Sequence, residues 1–111
     1  MKEHFFINEK GEREMAKGYW IANNIVHDAE EYEAYKAANA APFAKYHARF
    51  LVRGGQQTIA EGTAFPRTVV IEFPSYEDAV ACYNSAEYQA ALAIRLPVSE
   101  SNLVIVEGYD G

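Results

Sequence analysis

The chain has little of what several classes of protein require. It contains one cysteine, Cys82, so an internal disulfide is excluded. Its histidines, His4, His27 and His47, have no spacing that suits a metal site. No apolar run has the length of a membrane span or of a signal-peptide core. Basic residues are outnumbered 10 to 16 by acidic ones, so binding to nucleic acid or to an anionic membrane is disfavoured.

These absences predict a cytoplasmic protein with no cofactor, and the remaining composition predicts one small domain. Half of the 111 residues are hydrophobic, and the aromatic residues include eight tyrosines. This apolar content is generous for so small a chain, so we expect a partner subunit to cover one face. Residues 1–15 are predicted to be an N-terminal arm, either an extra strand or disordered, and residues 16–111 the domain.

The first half of the domain reads as a strand, a helix and a second strand. Aromatic and β-branched residues predict a strand from residue 18 to 26. Asp28 then caps a helix that should end near Ala41, where Pro42 marks an interruption or a new turn. Phe43 and Tyr46 could continue the same helical face to about residue 47. Residues 49–53 form the next strand before a Gly-Gly bend. Residues 58–62 are either its bent continuation or a short separate strand.

The second half repeats the pattern. Residues 67–73 are so continuously apolar that burial on both faces is expected. Ser75 should cap one helix, and Asn84 with Glu87 should open another that ends near Leu96. A last strand is predicted over residues 103–109. The order βαββαβ predicts a ferredoxin-like α+β sandwich with an antiparallel sheet, whose uncovered face would pair with a second copy.

Two residues are candidates for acid–base catalysis. Glu72 lies inside an apolar strand. Burying a polar group without a hydrogen bond costs roughly 2–7 kcal/mol, and burying an unpaired charge such as a carboxylate costs more. It is either a general base in a pocket or the partner of an arginine, with Arg53, Arg67 and Arg95 as candidates. His47, near the end of the first helix, is either a proton acceptor beside a cleft or a surface residue.

Further residues are candidates for binding a ligand. Arg53 precedes the Gly-Gly bend and could hold a carboxylate through two parallel hydrogen bonds, or pair with an acid of the chain. Tyrosines on inner helix faces could bind a ligand or only pack, and Ser85 could equally be a helix cap. Arg95 could reach a pocket or a helix C-terminus. The full candidate set is Tyr35, Arg53, Tyr83, Ser85, Tyr88 and Arg95.

Several of these segments resemble the DUF1330 family over about residues 16–108. They are Lys17-Gly-Tyr-Trp-Ile-Ala, Leu51-Val-Arg-Gly-Gly, Val69-Val-Ile-Glu-Phe-Pro-Ser and Tyr83-Asn-Ser-Ala-Glu-Tyr. The resemblance implies a dimeric α+β barrel in which two sheets pack face to face. Wider relatives include cofactor-free monooxygenases, muconolactone isomerases, haem-degrading enzymes and ligand-sensing domains. The second helical region has no histidine, which disfavours haem degradation.

Three functions follow as hypotheses. The first is a cofactor-free enzyme that uses Glu72 or His47 in acid–base chemistry on a small molecule. The second is a dimeric binding or interaction module that holds an acidic or aromatic metabolite without turnover. The third, a monooxygenase-like enzyme, rests on analogy with the wider relatives.

Overall fold

The computed structural model describes residues 5–7 and 13–109. Two short strands pair antiparallel within the N-terminal arm. The elements are β1 (Phe5–Ile7), β2 (Arg13–Met15), β3 (Gly18–Val26), α1 (Ala29–Lys45), β4 (Arg49–Arg53), β5 (Arg67–Phe73), α2 (Tyr76–Asn84), α3 (Ala86–Arg95), a 3₁₀ turn (Leu96–Val98) and β6 (Ser99–Glu107).

The main sheet has four antiparallel strands in the order β4-β5-β3-β6. This is the predicted ferredoxin-like arrangement, in which the two helical segments connect strands that are not sequential neighbours in the sheet. Trp20 lies opposite Ile71 on one side and Ile105 on the other. Since directly opposite residues share a face, this row faces the helices, and we call that side of the sheet the inner face.

The outer face of the sheet carries no helix and is apolar. Side chains alternate along a strand, so the residues between those of the inner face point to this side. β3 pairs Ile21 with Val70 of β5 and with Val104 of β6. The exposed or half-exposed apolar side chains of the outer face are Ile21, Val52, Val70, Val104 and Val106.

Helix α1 follows the longer of the two predicted courses. Asp28 caps it as expected, because its carboxylate accepts a hydrogen bond from the backbone N–H of Glu31 at 3.1 Å. The helix continues through Pro42 to Lys45, so Pro42 does not interrupt it and Phe43 stays on the same helix. Pro42 and Phe43 are buried, and Phe43 packs edge-on against Trp20 with ring centroids 5.3 Å apart. This burial compensates for the N–H that the proline lacks.

Helices α2 and α3 meet at Ser85. Ser75 caps α2 as predicted, accepting from the backbone N–H of Asp78 at 3.1 Å. The cap of α3 is Ser85, which accepts from the backbone N–H of Tyr88 at 3.1 Å, and not Asn84 as expected. Asn84 is instead the last residue of α2, so the two helices share a tight corner.

Two other boundaries differ from the sequence prediction. Residues 58–62 form neither a strand nor a continuation of β4, and the loop is held to the sheet by Asn23. The Asn23 amide donates to the carbonyl of Phe65 at 2.9 Å and accepts from its N–H at 2.6 Å. β6 begins at Ser99, earlier than expected, because its pairing with β3 extends to Val26.

The core lies between the inner face and the helices. Trp20 is its centre, packing against four other aromatic rings and donating from its indole N–H to the carbonyl of Ala79 at 2.8 Å. β5 buries Val69, Ile71 and Phe73 toward this core, but Val70 and Glu72 are half-exposed. Burial of β5 on both faces is therefore not found within one chain.

In the described residues no helix combines the length and apolar character of a membrane span.

Candidate ligand cavity

A cavity of about 40 Å³ lies between the inner face, α1 and α3. This volume holds roughly three water molecules, at about 10–15 Å³ for the centre of each. The walls combine aromatic side chains with a few polar ones. They are formed by Trp20, Ala22, Asn24, Tyr32, Tyr35, Lys36, Asn39, Phe43, Phe50, Arg53, Val69, Ile71, Arg95, Ser101 and Leu103.

Arg95 is the buried cation of the cavity. It ends α3, and its side chain is only 6% exposed. Its guanidinium donates to the Ser101 hydroxyl at 2.8 Å and lies 5.5 Å from the ring centre of Tyr35. In the described part of the chain no carboxylate forms an ion pair with it. Within the described residues its charge is therefore stabilised by hydroxyl groups, those of Ser101 and Tyr88, and by aromatic rings.

The phenols beside Arg95 stay neutral near physiological pH. Burial is the main cause that raises the pKa of Tyr88, and burial likewise raises the pKa of Tyr35. Their hydroxyls hydrogen-bond each other at 2.8 Å. Burial by itself would lower the pKa of Arg95, but the neighbouring Tyr88 and Tyr35 outweigh it and the pKa is raised. The cavity wall thus has the neutral phenol of Tyr35 beside Arg95, and the neutral phenol of Tyr88 lies directly behind Tyr35.

Asn24 supplies an acceptor without a partner. It is 3% exposed and lies on β3 between Arg67 of β5 and Ser101 of β6. Its amide nitrogen donates to the Tyr32 hydroxyl at 3.1 Å, and Arg67 donates to the same hydroxyl at 3.2 Å. The amide oxygen Oδ1 is buried and has no hydrogen-bond partner. Such an atom is uncommon in a native structure because an unsatisfied buried acceptor is costly.

Two more cations stand at the cavity wall. Arg53 lies over the ring of Phe50, 4.1 Å from its centre. Lys36 lies further along α1 and pairs with Glu33 at 3.2 Å. The wall therefore has three basic residues and no acidic one, although the whole chain has a net charge of −6. The cavity is a locally positive site in an acidic protein.

Residues 17–109 match the domain family of unknown function DUF1330. The chain belongs to this family. The match leaves out only the N-terminal arm and the last residues, as the sequence resemblance suggested. No curated protein matches the chain.

Solved structures with the same fold share little sequence with this family member. RPA0582, a protein of unknown function from Rhodopseudomonas palustris, is 15% identical with a TM-score of 0.68, covering 86% of this chain and 85% of its own. SnoaB, a cofactor-independent oxygenase from Streptomyces nogalater, is 13% identical with a TM-score of 0.58 (86% and 96% covered). A dimeric ferredoxin-like protein of unknown function from Thermobifida fusca is 17% identical with a TM-score of 0.55 (96% and 99% covered). At these identities the likeness concerns the fold.

Three of the six predicted ligand-binding residues line the cavity, namely Tyr35, Arg53 and Arg95. Arg95 also lies in the last turn of α3, so it fits both placements that the sequence left open, at a helix C-terminus and in a pocket. Tyr88 stands behind the wall as the hydrogen-bond partner of Tyr35. Tyr83 packs against Trp20, 5.8 Å between ring centres, and does not line the cavity.

The other predicted residues lie away from the cavity. Ser85 acts as the cap of α3. Glu72 is on the outer face, where it accepts a hydrogen bond from the Tyr19 hydroxyl at 3.2 Å. None of the three arginines named as its partners bonds to it in the described part of the chain. His47 is exposed in the turn after α1, in a left-handed conformation with φ of 58°. The structure thus does not bring Glu72 and His47 together.

The sequence prediction missed the polar residues that β3 and β6 contribute. Asn24 occupies an inner-face position on a strand whose other residues gave the strand signal, so it reads as an ordinary strand residue. Ser101 precedes residue 103, the predicted start of the last strand. The signal available for Asn24 was alternation: Trp20 and Asn24 are four positions apart on one strand and must share a face. Asn39 is buried on α1 and lines the cavity, and the sequence did not mark it as part of a site.

Cys82 has no part in the cavity. It is fully buried, and burial raises the pKa of its thiol to about 12. A thiol in this state is a poor nucleophile. Among the residues that the structure describes, no cluster of histidine, cysteine and carboxylate side chains could hold a metal ion.

Proposed function

We propose that this DUF1330 domain binds a small organic anion in the cavity between the inner face and helices α1 and α3. The observation that carries the proposal is Arg95, a buried guanidinium without a carboxylate partner in the described residues. Burying a charge is costly unless it is paired. A ligand carboxylate, phenolate or enolate would supply the missing pair.

The rest of the wall supports an anion over a neutral or cationic ligand. Lys36 and Arg53 add positive potential, and no acidic side chain of the wall opposes it. The aromatic side chains exclude water, which strengthens the attraction between a guanidinium and an anionic oxygen. Arg95 is also held in place by Ser101, so it loses little conformational freedom on binding.

The same wall favours binding over acid–base catalysis. A general base must lie within hydrogen-bond reach of the substrate, and the wall has neither a carboxylate nor an imidazole. Glu72 and His47 are on other surfaces.

The alternative of an oxygenase rests on a fold shared with SnoaB, and it predicts oxygen uptake with an electron-rich aromatic substrate. Mass spectrometry of a candidate ligand after incubation with the protein distinguishes binding from catalysis, since the formation of a product would indicate an enzyme.

Anion selectivity can be tested with near-isosteric pairs. Trp20 is the single tryptophan of the chain and lines the cavity, so its fluorescence reports binding without a label. We expect propionate and benzoate to bind at least about tenfold more tightly than propionamide and benzamide, since a hydrogen bond to a charged group contributes about 1.5–3 kcal/mol. Equal binding of the charged and neutral members would overturn the proposal.

Arg95→Met should remove this selectivity, because it replaces the cation by an apolar side chain of similar length. Lys45→Met is the control: it also removes one positive charge, from an exposed residue that pairs with Glu87 at 3.5 Å, and should leave binding unchanged. If both variants weaken binding equally, the effect is one of net charge and not of the cavity. Circular dichroism establishes that each variant is folded.

We further propose that the chain is a homodimer through its outer face. Ile21, Val104 and Val106 form an apolar surface that a monomer would leave in water. A second sheet with the same face is self-complementary under two-fold symmetry. The Thermobifida fusca protein of similar fold is described as dimeric, which supports the same assembly here.

The dimer can be tested by placing a charge on the outer face. Val104→Lys should reduce the particle mass to that of one chain, 12.4 kDa, in analytical ultracentrifugation. Leu96→Lys is a matched control, because Leu96 is 62% exposed against 58% for Val104 but lies in the 3₁₀ turn. A wild-type chain that remains monomeric at 100 micromolar would contradict the assembly.

A further inference from the structure

We infer that the ligand of this cavity carries two groups: an anionic oxygen for Arg95 and a hydrogen-bond donor, a hydroxyl or N–H, for Oδ1 of Asn24. The inference rests on the proposed anion binding and narrows its ligand class to small hydroxy or amino carboxylates. It adds a second recognition point, carried by an observation that is independent of Arg95.

That observation is the unsatisfied oxygen of a fully enclosed amide. Asn24 is 3% exposed, lines the cavity, and leaves Oδ1 without a partner. The amide nitrogen is directed to the Tyr32 hydroxyl at 3.1 Å, so the oxygen is the atom left to the cavity. An acceptor in this position favours ligands that donate a hydrogen bond and disfavours those that only accept one.

The neighbours of Asn24 hold the amide in place. Tyr32 receives hydrogen bonds from both Asn24 and Arg67, and its ring lies 5.6 Å from the Arg67 guanidinium carbon. Arg67 and Asn24 are also direct neighbours in the pairing of β5 with β3. The acceptor is therefore fixed before a ligand arrives, and fixed polar groups discriminate better than mobile ones.

The row Arg67–Asn24–Ser101 links the two recognition points. Ser101 lies directly opposite Asn24 on β6 and accepts the hydrogen bond of Arg95. Arg95 donates to Ser101 and Asn24 lies opposite Ser101, so both are neighbours of one residue at the same end of the sheet. A ligand that fills a cavity of about 40 Å³ is small, so its anionic and donor groups must be close together, as in a 2- or 3-hydroxy acid.

Three acids with the same carbon skeleton test this directly. Propionate, lactate and pyruvate are all three-carbon carboxylates and differ by a hydrogen, a hydroxyl and a carbonyl at the second carbon. Titrated against wild-type protein with Trp20 fluorescence, one enantiomer of lactate should bind about threefold to tenfold more tightly than propionate, the gain of one hydrogen bond. Pyruvate, which only accepts at that carbon, should bind no more tightly than propionate.

The variant Asn24→Leu replaces the amide by an apolar side chain of similar size. The lactate-to-propionate preference should fall to about one, while propionate still binds and circular dichroism still shows the fold. If this variant does not fold, the wild-type comparison stands alone as the test.

The outcomes separate this inference from the proposed function. Equal binding of lactate and propionate, with both lost in Arg95→Met, overturns the donor requirement and leaves the anion site intact. Pyruvate binding more tightly than lactate also overturns it, because the amide would then present its nitrogen. If none of the three acids binds and benzoate does not bind, the anion site itself fails.

Discussion

The two faces of the four-stranded sheet differ in what covers them, although the same strands build both. The inner face carries Trp20, Ile71 and Phe73 under two helical segments, and it retains a polar cavity at one end. The outer face carries Ile21 and Val104, which are exposed to solvent, and Val70, which is half-exposed. The contrast shows that alternation along a strand gives one sequence two surfaces with different roles.

The polar groups of the two sides of the sheet differ in whether they have hydrogen-bond or ion-pair partners. On the inner face Arg95 is buried without a carboxylate partner in the described residues, and Asn24 keeps a free acceptor. On the outer face Glu72 is satisfied by Tyr19 at 3.2 Å. An incompletely satisfied buried group points to a ligand, whereas a satisfied group at a half-exposed position points to structure. This is why the proposed site contains Arg95 and not Glu72.

The largest expected difference between the faces concerns stability. Phe73→Ala on the inner face should lower the free energy of unfolding by about 3–5 kcal/mol, because the ring is enclosed and leaves a cavity. Val104→Ala on the outer face should cost under about 1 kcal/mol at low protein concentration. Urea unfolding measures both. A loss for Val104→Ala that grows with concentration would show that the outer face is buried in a dimer.

A second difference concerns backbone packing. A Cβ at Gly18 would lie 2.4 Å from the carbonyl oxygen of Ser75, so Gly18→Ala should destabilise the chain by about 1–3 kcal/mol. At Gly55 a Cβ would meet nothing within 4 Å, and Gly55→Ala should be neutral or slightly stabilising. Thermal unfolding of both variants measures the contrast. Equal effects on stability would mean that α2 can move away from β3 and make room for the added Cβ at little energetic cost.

The buried titratable groups of the helical side predict alkaline sensitivity. Cys82 has its pKa raised to about 12, and those of Tyr35 and Tyr88 are also raised, in each case chiefly by burial. The unfolded chain releases these protons at lower pH, so it binds fewer protons than the folded chain above about pH 9. Stability is therefore fully present below that pH and falls as pH rises, by at most about 1.4 kcal/mol per pH unit for each group.

Urea unfolding of wild type and Cys82→Ala at pH 7.5, 9 and 10.5 measures this effect. The variant should lose less stability between the first and last pH because it lacks one of the titrating groups. An identical loss in both proteins would exclude Cys82 as a contributor.

The smallest expected effect belongs to the outer face. Tyr19→Phe removes the hydrogen bond to Glu72 and should cost about 1 kcal/mol or less, since the pair is half-exposed. Tyr109→Phe, at a side chain that is 94% exposed, is the control and should change nothing measurable. Ligand binding should be unchanged in both variants. Weaker propionate binding by Tyr19→Phe would mean that the two faces are coupled.

The helix and strand pattern could be predicted from the sequence where local rules dominate. The limits of β5, the caps Asp28 and Ser75, and the inner stripe of α3 agree with the structure, because apolar period and capping chemistry act over a few residues. Local rules failed where packing overrides them. Pro42 stays inside α1, where Phe43 packs against Trp20, and residues 58–62 form no strand, in a loop that Asn23 holds at Phe65.

The candidate site could be predicted only in part. Tyr35, Arg53 and Arg95 were identified by residue type and by helix or bend position, and the structure brings them to one cavity. The sequence left Glu72 as either a general base in a pocket or the partner of an arginine, and the structure places it on the outer face beside Tyr19. Whether a carboxylate in such a strand faces a cavity or an open surface depends on which sheet face the helices cover, and that is a non-local fact.

The amino-acid order by itself determined the ferredoxin-like topology and the alternation that gives the sheet two apolar sides, since both follow from local periodicity and connection order. Only the tertiary structure decided that Asn24 of β3, Ser101 of β6 and Arg95 of α3 meet at one point. Asn24 is far along the chain from Arg95 and Ser101, which are six residues apart, and strand register together with helix docking brings it to them. The charge of the cavity is therefore a property of the packing and not of the composition.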